Sequence, residues 1–221
     1  MAAEGERIIA DLPPSVHIRT LYVLEDKAEK FAKYAAAAEE VIYCTDNVMR
    51  AISSTSTPAG IVAVADKPVS VKTGEELIVL DGITDPGNMG TIIRTACACG
   101  VRDILCLDCC DPFSPKVIRA SMGGIFRVNI VEAAREEAEK YLREYKIFAL
   151  DMQGENVYNI EKKEFTGRYA IAVGSEAFGL SPKLRAAAYK TVSLPMSGEM
   201  ESLNAAISLS IVLYTVKYAL K

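Results

Sequence analysis

A chain of 221 residues, 50% apolar, 24% charged and with a net charge of −4, has room for one large α/β domain or an ordinary domain with a small companion. No run approaches the roughly 18 uncharged apolar residues of a membrane span, and Met1 to Arg7 lacks the basic flank and apolar stretch of a secretory signal. The single histidine, His17, excludes a site built from several imidazoles, and the negative balance excludes a uniformly basic surface while permitting a local one.

In chain order, residues 21–24 and 41–43 are predicted as short strands around an Ala-rich helix at 26–38. A further strand, 60–65, follows the polar loop Ser53 to Pro58. These make a small α/β unit over residues 1–66, and the polar stretch 67–76, with Pro68 and Gly74, is read as a linker. Beyond it, over 77–221, strands and helices alternate. Predicted strands are 76–81, 104–107, 127–131, 146–150, 169–173 and 191–194. Predicted helices are 89–99, 115–122, a charged one at 133–145, a short one at 182–188, and a long one from Ser202 to about Lys217. Such alternation implies a mostly parallel sheet covered on both faces. No internal repeat or low-complexity segment interrupts it.

Five of the six cysteines crowd together: Cys97, Cys99, Cys106, Cys109 and Cys110. Cys106-x-x-Cys109 has zinc-ligand spacing, but Leu105-Cys106-Leu107 reads as buried strand, so apolar filling is favoured and no metal is expected. Without a signal peptide, the thiols are expected to be reduced and the protein cytoplasmic.

Four segments carry candidate chemistry. In Asp81 to Ala96, Pro86-Gly87 fits a tight turn and Asn88 is placed to cap the following helix. Met89, Ile92, Ile93, Ala96 and Cys97 form its apolar stripe, leaving Arg94 beside Thr91 and Thr95 on the polar face. Gly87-x-x-Gly90 lacks the full dinucleotide fingerprint, which counts against a nicotinamide oxidoreductase. In Asp111 to Arg127, Lys116, Arg119 and Arg127 form the largest local positive excess, suited either to an RNA phosphate backbone or to an ordinary solvated face. In Tyr169 to Pro182, a strand runs directly into Gly174 and a small-residue loop, where open α/β sheets bind ligands and glycine permits close approach. Gly179 is followed by Leu180, so a P-loop is excluded. In Val192 to Ala206, Ser202 is the expected N-cap and Asn204 lies in the first helical turn.

Together these segments resemble the SpoU-type (TrmH family) RNA ribose 2′-O-methyltransferases of the SPOUT superfamily. Asn88-x-Gly90-x-x-x-Arg94-x-Ala96 looks like the family's first motif, Gly174-Ser175-Glu176-x-x-Gly179 its second, and Leu194-Pro195-Met196 with Ser202-Leu203-Asn204 its third. The match spans residues 77–218. The region before 66 resembles the small RNA-binding domain of the rRNA-directed members. It is expected to be truncated at its start, since Glu4-Gly5-Glu6-Arg7 looks like a motif normally preceded by a further helix.

The resemblance implies a trefoil knot and S-adenosylmethionine as cofactor, bound by Gly174, Ser175, Leu194, Met196 and Leu203. It implies a catalytic group of Asn88, Arg94, Glu176, Ser202 and Asn204; the local basic excess, read apart from the resemblance, gives RNA phosphate contacts to Lys116, Arg119 and Arg127. A homodimer is expected, because the last helix carries Leu203, Ala206, Ile207, Ser210, Ile211, Leu213, Tyr214 and Lys217, more apolar surface than one sheet face needs. The expected activity is methylation of a ribose 2′-hydroxyl in RNA, with rRNA favoured by the N-terminal domain. A tRNA ribose methyltransferase and a non-catalytic RNA-binding protein on the same fold are the alternatives.

Overall fold

Alternating apolar residues build the first of two sheets in a computed structural model that describes residues 1–70, 73–198 and 202–220. Val71 and Lys72 of the predicted linker, and Glu199 to Glu201 of the fourth segment, lie outside the described residues. The chain begins β1 (Ala2–Glu4), α1 (Glu6–Ala10), β2 (Ile18–Leu24), α2 (Ala32–Ala35), β3 (Ala38–Cys44), α3 (Asp46–Ile52) and β4 (Ile61–Ala65). The strands are ordered β1-β4-β2-β3, with β2 parallel to β3 and antiparallel to β4. Leu21, Val23, Ile61 and Ala63 are buried on one face with Phe31, while Leu24, Cys44, Met49 and Val62 cluster on the other.

The helix predicted over 26–38 shrinks to α2, preceded by a 3-10 turn at Glu25–Lys27. Alanine favours helix but has little surface to bury, and α2 contains no buried residue. From Ala38 onward the chain instead gains a ladder with β2, register Ile18 to Ala38 through Leu24 to Cys44. Local propensity yields there to strand pairing. The sequence reading also lacked β1, α1 and α3.

The second sheet contains β5 (Glu76–Asp81), β6 (Asp103–Leu107), β7 (Asn129–Ala133), β8 (Lys146–Asn156), β9 (Tyr169–Gly174) and β10 (Lys190–Ser193). Its order is β10-β8-β9-β5-β6-β7, and every pairing is parallel. The helices are α4 (Pro86–Ala98), α5 (Pro115–Ala120), α6 (Ala138–Leu142), α7 (Pro182–Ala186) and α8 (Ala205–Tyr214), the last continued by a π-helical turn at Thr215–Ala219. Ile78 and Leu80 of β5 join the large core shared with residues of α4, α5 and α8, whereas Leu77 and Val79 pack with Leu142 and Leu184 on the opposite face. Both faces are covered, as the alternation of elements predicts.

The charged helix predicted at 133–145 is reduced to a 3-10 turn at Arg135–Glu137 and the short α6. Asn129–Ala133 pair residue for residue with Asp103–Leu107, so β7 takes the start of that segment, and Leu142 is the buried residue that anchors α6. In the last helix, Ala206 and Leu213 are buried within the chain, while Ile207 and Tyr214 face outward. Lys217 is tied to Glu76 at 2.6 Å.

β5 is flanked by β9 on one side and β6 on the other. The chain moves outward from β5 through β6 to β7, and β8 to β10 occupy the opposite half. Strand direction is shared, so the carboxyl ends of β5 and β9 border the switch point of the sheet, where open parallel sheets leave a crevice.

Candidate active site

At the carboxyl end of β5 the chain turns through residues 82–85 into α4. Asp85 is the N-cap: its Oδ1 accepts from the Asn88 backbone N–H at 2.8 Å, and Pro86 follows at the first helical position. Asn88 is therefore inside the helix rather than its cap, and its side chain serves a tertiary contact. Its Nδ2 donates to Glu176 Oε1, and its Oδ1 accepts from Asn204 Nδ2 at 3.0 Å. The N-cap of α8 is Asn204, not Ser202, and Asn204 Oδ1 accepts from the backbone N–H groups of Ala206 at 3.0 Å and Ile207 at 3.2 Å. Ser202 is exposed two residues ahead of the cap. One asparagine thus joins the first, third and fourth segments through a single polar chain, Glu176–Asn88–Asn204.

Arg94 is not part of that chain. It is exposed, six residues and about 9 Å along α4 from Asn88, and 120° around the helix axis by the 100° step per residue. Among the described residues it makes no hydrogen bond or ion pair. Gly124 keeps the neighbouring backbone close: a Cβ there would sit 3.5 Å from the Arg94 Cα. Thr95, on the same turn, is spoken for by α8, with its Oγ1 3.0 Å from Ser210 Oγ.

Gly174 closes β9 opposite Asp81 of β5. The close approach here is internal. A Cβ on Gly174 would lie 2.0 Å from the Gly179 carbonyl carbon and 2.3 Å from the Leu180 nitrogen, because the loop curls back on itself. Gly179 N–H donates to the Ser175 carbonyl at 2.8 Å, and Phe178 N–H to Ser175 Oγ at 3.3 Å. Glycine at 174 is therefore demanded by its own loop. Leu194 packs partly against the core. Met196, past β10, and Leu203, adjoining the Asn204–Asn88 contact, stay 37% and 40% exposed.

Of the basic segment, Lys116 is exposed. Arg119 donates to Ser54 Oγ and lies 3.6 Å from Glu4, and Arg127 pairs with Asp11 at 3.1 Å. Both arginines join the second-sheet unit to the first. Burial works against ionisation of Glu4, but hydrogen bonds from Ser53, Ser54 and Thr55 outweigh it and hold the carboxyl below the usual glutamate range. The sequence reading missed Glu4, whose signal is a carboxylate ending an apolar strand.

All six cysteines are unpaired. Cys106, Cys109 and Cys110 line a cavity of about 400 Å³ with Asp108, Glu132 and Glu137, and burial pushes the Cys110 thiol up to about 11. Among the described residues, no three His, Cys, Asp or Glu side chains are arranged to hold a metal ion.

A parallel sheet that brings three interlocked polar side chains to its switch point has the architecture of an α/β enzyme. Residues 75–214 match the SpoU rRNA Methylase family and residues 1–63 the MRM3-like substrate binding domain, so the chain belongs to the SpoU rRNA methylase family. It is 27% identical to a 23S rRNA guanosine 2′-O-methyltransferase of Bacillus subtilis, over 97% of this chain and 87% of the relative. An rRNA methyltransferase from Sinorhizobium meliloti solved with AdoMet bound superposes with a TM-score of 0.81 at 29% identity, covering 97% of this chain and 85% of that one. The SpoU methyltransferase AviRb from Streptomyces viridochromogenes, in complex with AdoMet, gives a TM-score of 0.84 at 25% identity, covering 98% and 88%.

Proposed function

We propose that this protein transfers a methyl group from S-adenosylmethionine to a ribose 2′-hydroxyl of ribosomal RNA. The observation that carries this reading is the Glu176–Asn88–Asn204 chain, which unites the three motif segments at the switch point. Relatives named as 23S rRNA 2′-O-methyltransferases, one matching nearly the whole chain, support rRNA over tRNA.

The cofactor supplies an electrophilic methyl on a sulfonium, whose charge is neutralised as the methyl leaves. The protein must then hold the 2′-oxygen in line and let one proton depart. Gly174, Ser175, Leu194, Met196 and Leu203 form the cofactor side. Asn88, Glu176 and Asn204 form the fixed polar wall, and Ser202 and Arg94, open to solvent, meet the substrate. A guanidinium with pKa above about 12 is a poor base at neutral pH, so Arg94 clamps phosphate and hydroxyl in line while water takes the proton.

The domain division is at 1–66, 67–76 and 77–221. Lys116 contacts RNA phosphate, and Arg119 and Arg127 flank that contact while fixing the two units together. We also assign a trefoil knot and a homodimer. The knot is supported by α8, which follows the edge strand β10 yet returns to pack on α4 and contact Asn88. The dimer is supported by the outward apolar side chains of Ile207, Tyr214 and Tyr218, the two tyrosines bordering, with Tyr158, a groove of about 520 Å³. Its relatives that modify 23S rRNA support action in the cytoplasm.

The test is transfer of labelled methyl to unmodified rRNA and tRNA transcripts, followed by digestion to nucleosides. The reading expects label in a 2′-O-methylnucleoside of rRNA; label on a base, or on tRNA alone, would overturn it.

A further inference from the structure

The last residue of β5, Asp81, is completely buried. A carboxylate in that position is costly unless every oxygen finds a donor. Arg135 Nε donates to Oδ1, and the backbone N–H of Ser181 donates to Oδ2 at 2.6 Å. Ser181 ends the loop that begins at Gly174 and carries Glu176. That loop is gripped at one end by the contact of Gly174 with the Gly179–Leu180 backbone, and at the other by Asp81.

Arg135 arrives from the connection after β7, and its side chain is 40% exposed. Its guanidinium lies across Gly82, where a Cβ would fall 2.1 Å from Nη2, and Gly82 takes φ +72°. The same guanidinium reaches Asp108 Oδ2 at 3.7 Å, just past β6, in a residue with φ +47°. Asp81 and Arg135, through two ion pairs and one backbone hydrogen bond, therefore tie together the exits of β5 and β6, the loop after β9 and the chain after β7. Neither Asp81 nor Arg135 shares a hydrogen bond or ion pair with Asn88, Glu176 or Asn204.

We propose that Asp81 and Arg135 form a positioning clamp that sets the Ser175–Leu180 loop, and hence Glu176 and the cofactor side of the site, in its working geometry. The clamp rests on the assignment of that loop to S-adenosylmethionine. It acts through the loop, so it governs cofactor affinity more than RNA affinity. In Asp81→Asn the amide keeps the shape but must turn its NH2 toward either Ser181 N–H or Arg135, donor against donor.

The test is calorimetric titration of S-adenosylmethionine into the full chain, its Asp81→Asn, Arg135→Met and Arg135→Lys variants and the double variant Asp81→Asn/Arg135→Met. Steady-state KM for RNA and thermal melting are measured in parallel. Loss of one charge-assisted hydrogen bond predicts that Kd for S-adenosylmethionine rises about tenfold in Asp81→Asn and Arg135→Met, with KM for RNA unchanged. Arg135→Lys should recover part of the affinity, and the double variant should be no worse than the weaker single one, as for groups acting as one unit. Arg135 is partly exposed, so its variants keep the test open where Asp81→Asn fails to fold. Unaltered cofactor affinity in folded Arg135→Met, or equal losses in cofactor and RNA that follow the melting temperature, would overturn the clamp. Absence of binding by the unsubstituted chain would instead overturn the cofactor assignment, and the clamp with it.

Discussion

Asn204 Nδ2 donates to Asn88 Oδ1 at 3.0 Å, a bond between residues 116 apart in the chain. Asn204 makes it while capping α8 with its other amide atom, so its orientation is fixed from both sides. The two functions can be separated. Asn204→Asp keeps the cap but sets an acceptor against Asn88 Oδ1, whereas Asn204→Ala loses both. Thermal unfolding should show little change for the aspartate and a loss of about 1 kcal/mol for the alanine. Methyl transfer should fall sharply in both. Full activity of the aspartate variant would show that the Asn88 contact is dispensable.

Gly90 is where α4 and α5 touch: a Cβ would meet the Ala120 Cβ at 2.3 Å and Ser121 N at 3.0 Å. Gly90→Ala should lower stability by about 1–3 kcal/mol through overpacking, despite the better helix propensity of alanine. Adding Ala120→Gly should recover part of it in denaturant melts. A stabilised single variant would contradict the packing described.

The parts of this molecule legible in the sequence are those where burial and local pattern agree. Leu77 to Leu80 read as a strand buried on both faces because every residue in the run is apolar, and they are so buried. Residues 26–38 misread because alanine propensity points to helix while the pairing of β3 with β2, invisible locally, decides otherwise. The motif residues could be recognised from spacing, but not their joining. Asn88 looked like a cap because Asp85, three residues earlier, performs that task on a segment where either residue type would serve. Arg119 and Arg127 looked like a free basic patch because their partners, Glu4 and Asp11, lie more than a hundred residues away.

Glu4 gives the fold a defined acid limb. Its carboxyl is held below the usual glutamate range in the folded state, so its contribution is present above the unfolded value of about 4.3 and is lost as pH falls through the lower folded value. Glu4→Gln should melt earlier than the unsubstituted chain at neutral pH, and the gap should narrow at acid pH. A gap constant from pH 7 to 3 would contradict this.

RNA binding should divide the three basic residues. Lys116→Ala should flatten the salt dependence of RNA affinity by about one unit of slope while leaving the melting temperature alone. Arg119→Ala should lower the melting temperature, since it leaves Glu4 without its cation. An unchanged slope for Lys116→Ala would remove that residue from the RNA surface.

The most direct measurement of the whole account is single-turnover methyl transfer by Arg94→Ala and Arg94→Lys, with S-adenosylmethionine affinity measured on the same preparations. Arg94 is exposed and its side chain makes no hydrogen bond or ion pair with the described residues, so neither change should disturb folding or cofactor binding. Arg94→Ala should slow transfer by about 10²- to 10⁴-fold. Arg94→Lys should stay slow at every pH, because the charge remains but the planar fork is gone. Near-normal transfer by Arg94→Ala would contradict the active site described. Activity of Arg94→Lys that climbs with pH would replace the clamping role of this arginine with that of a base.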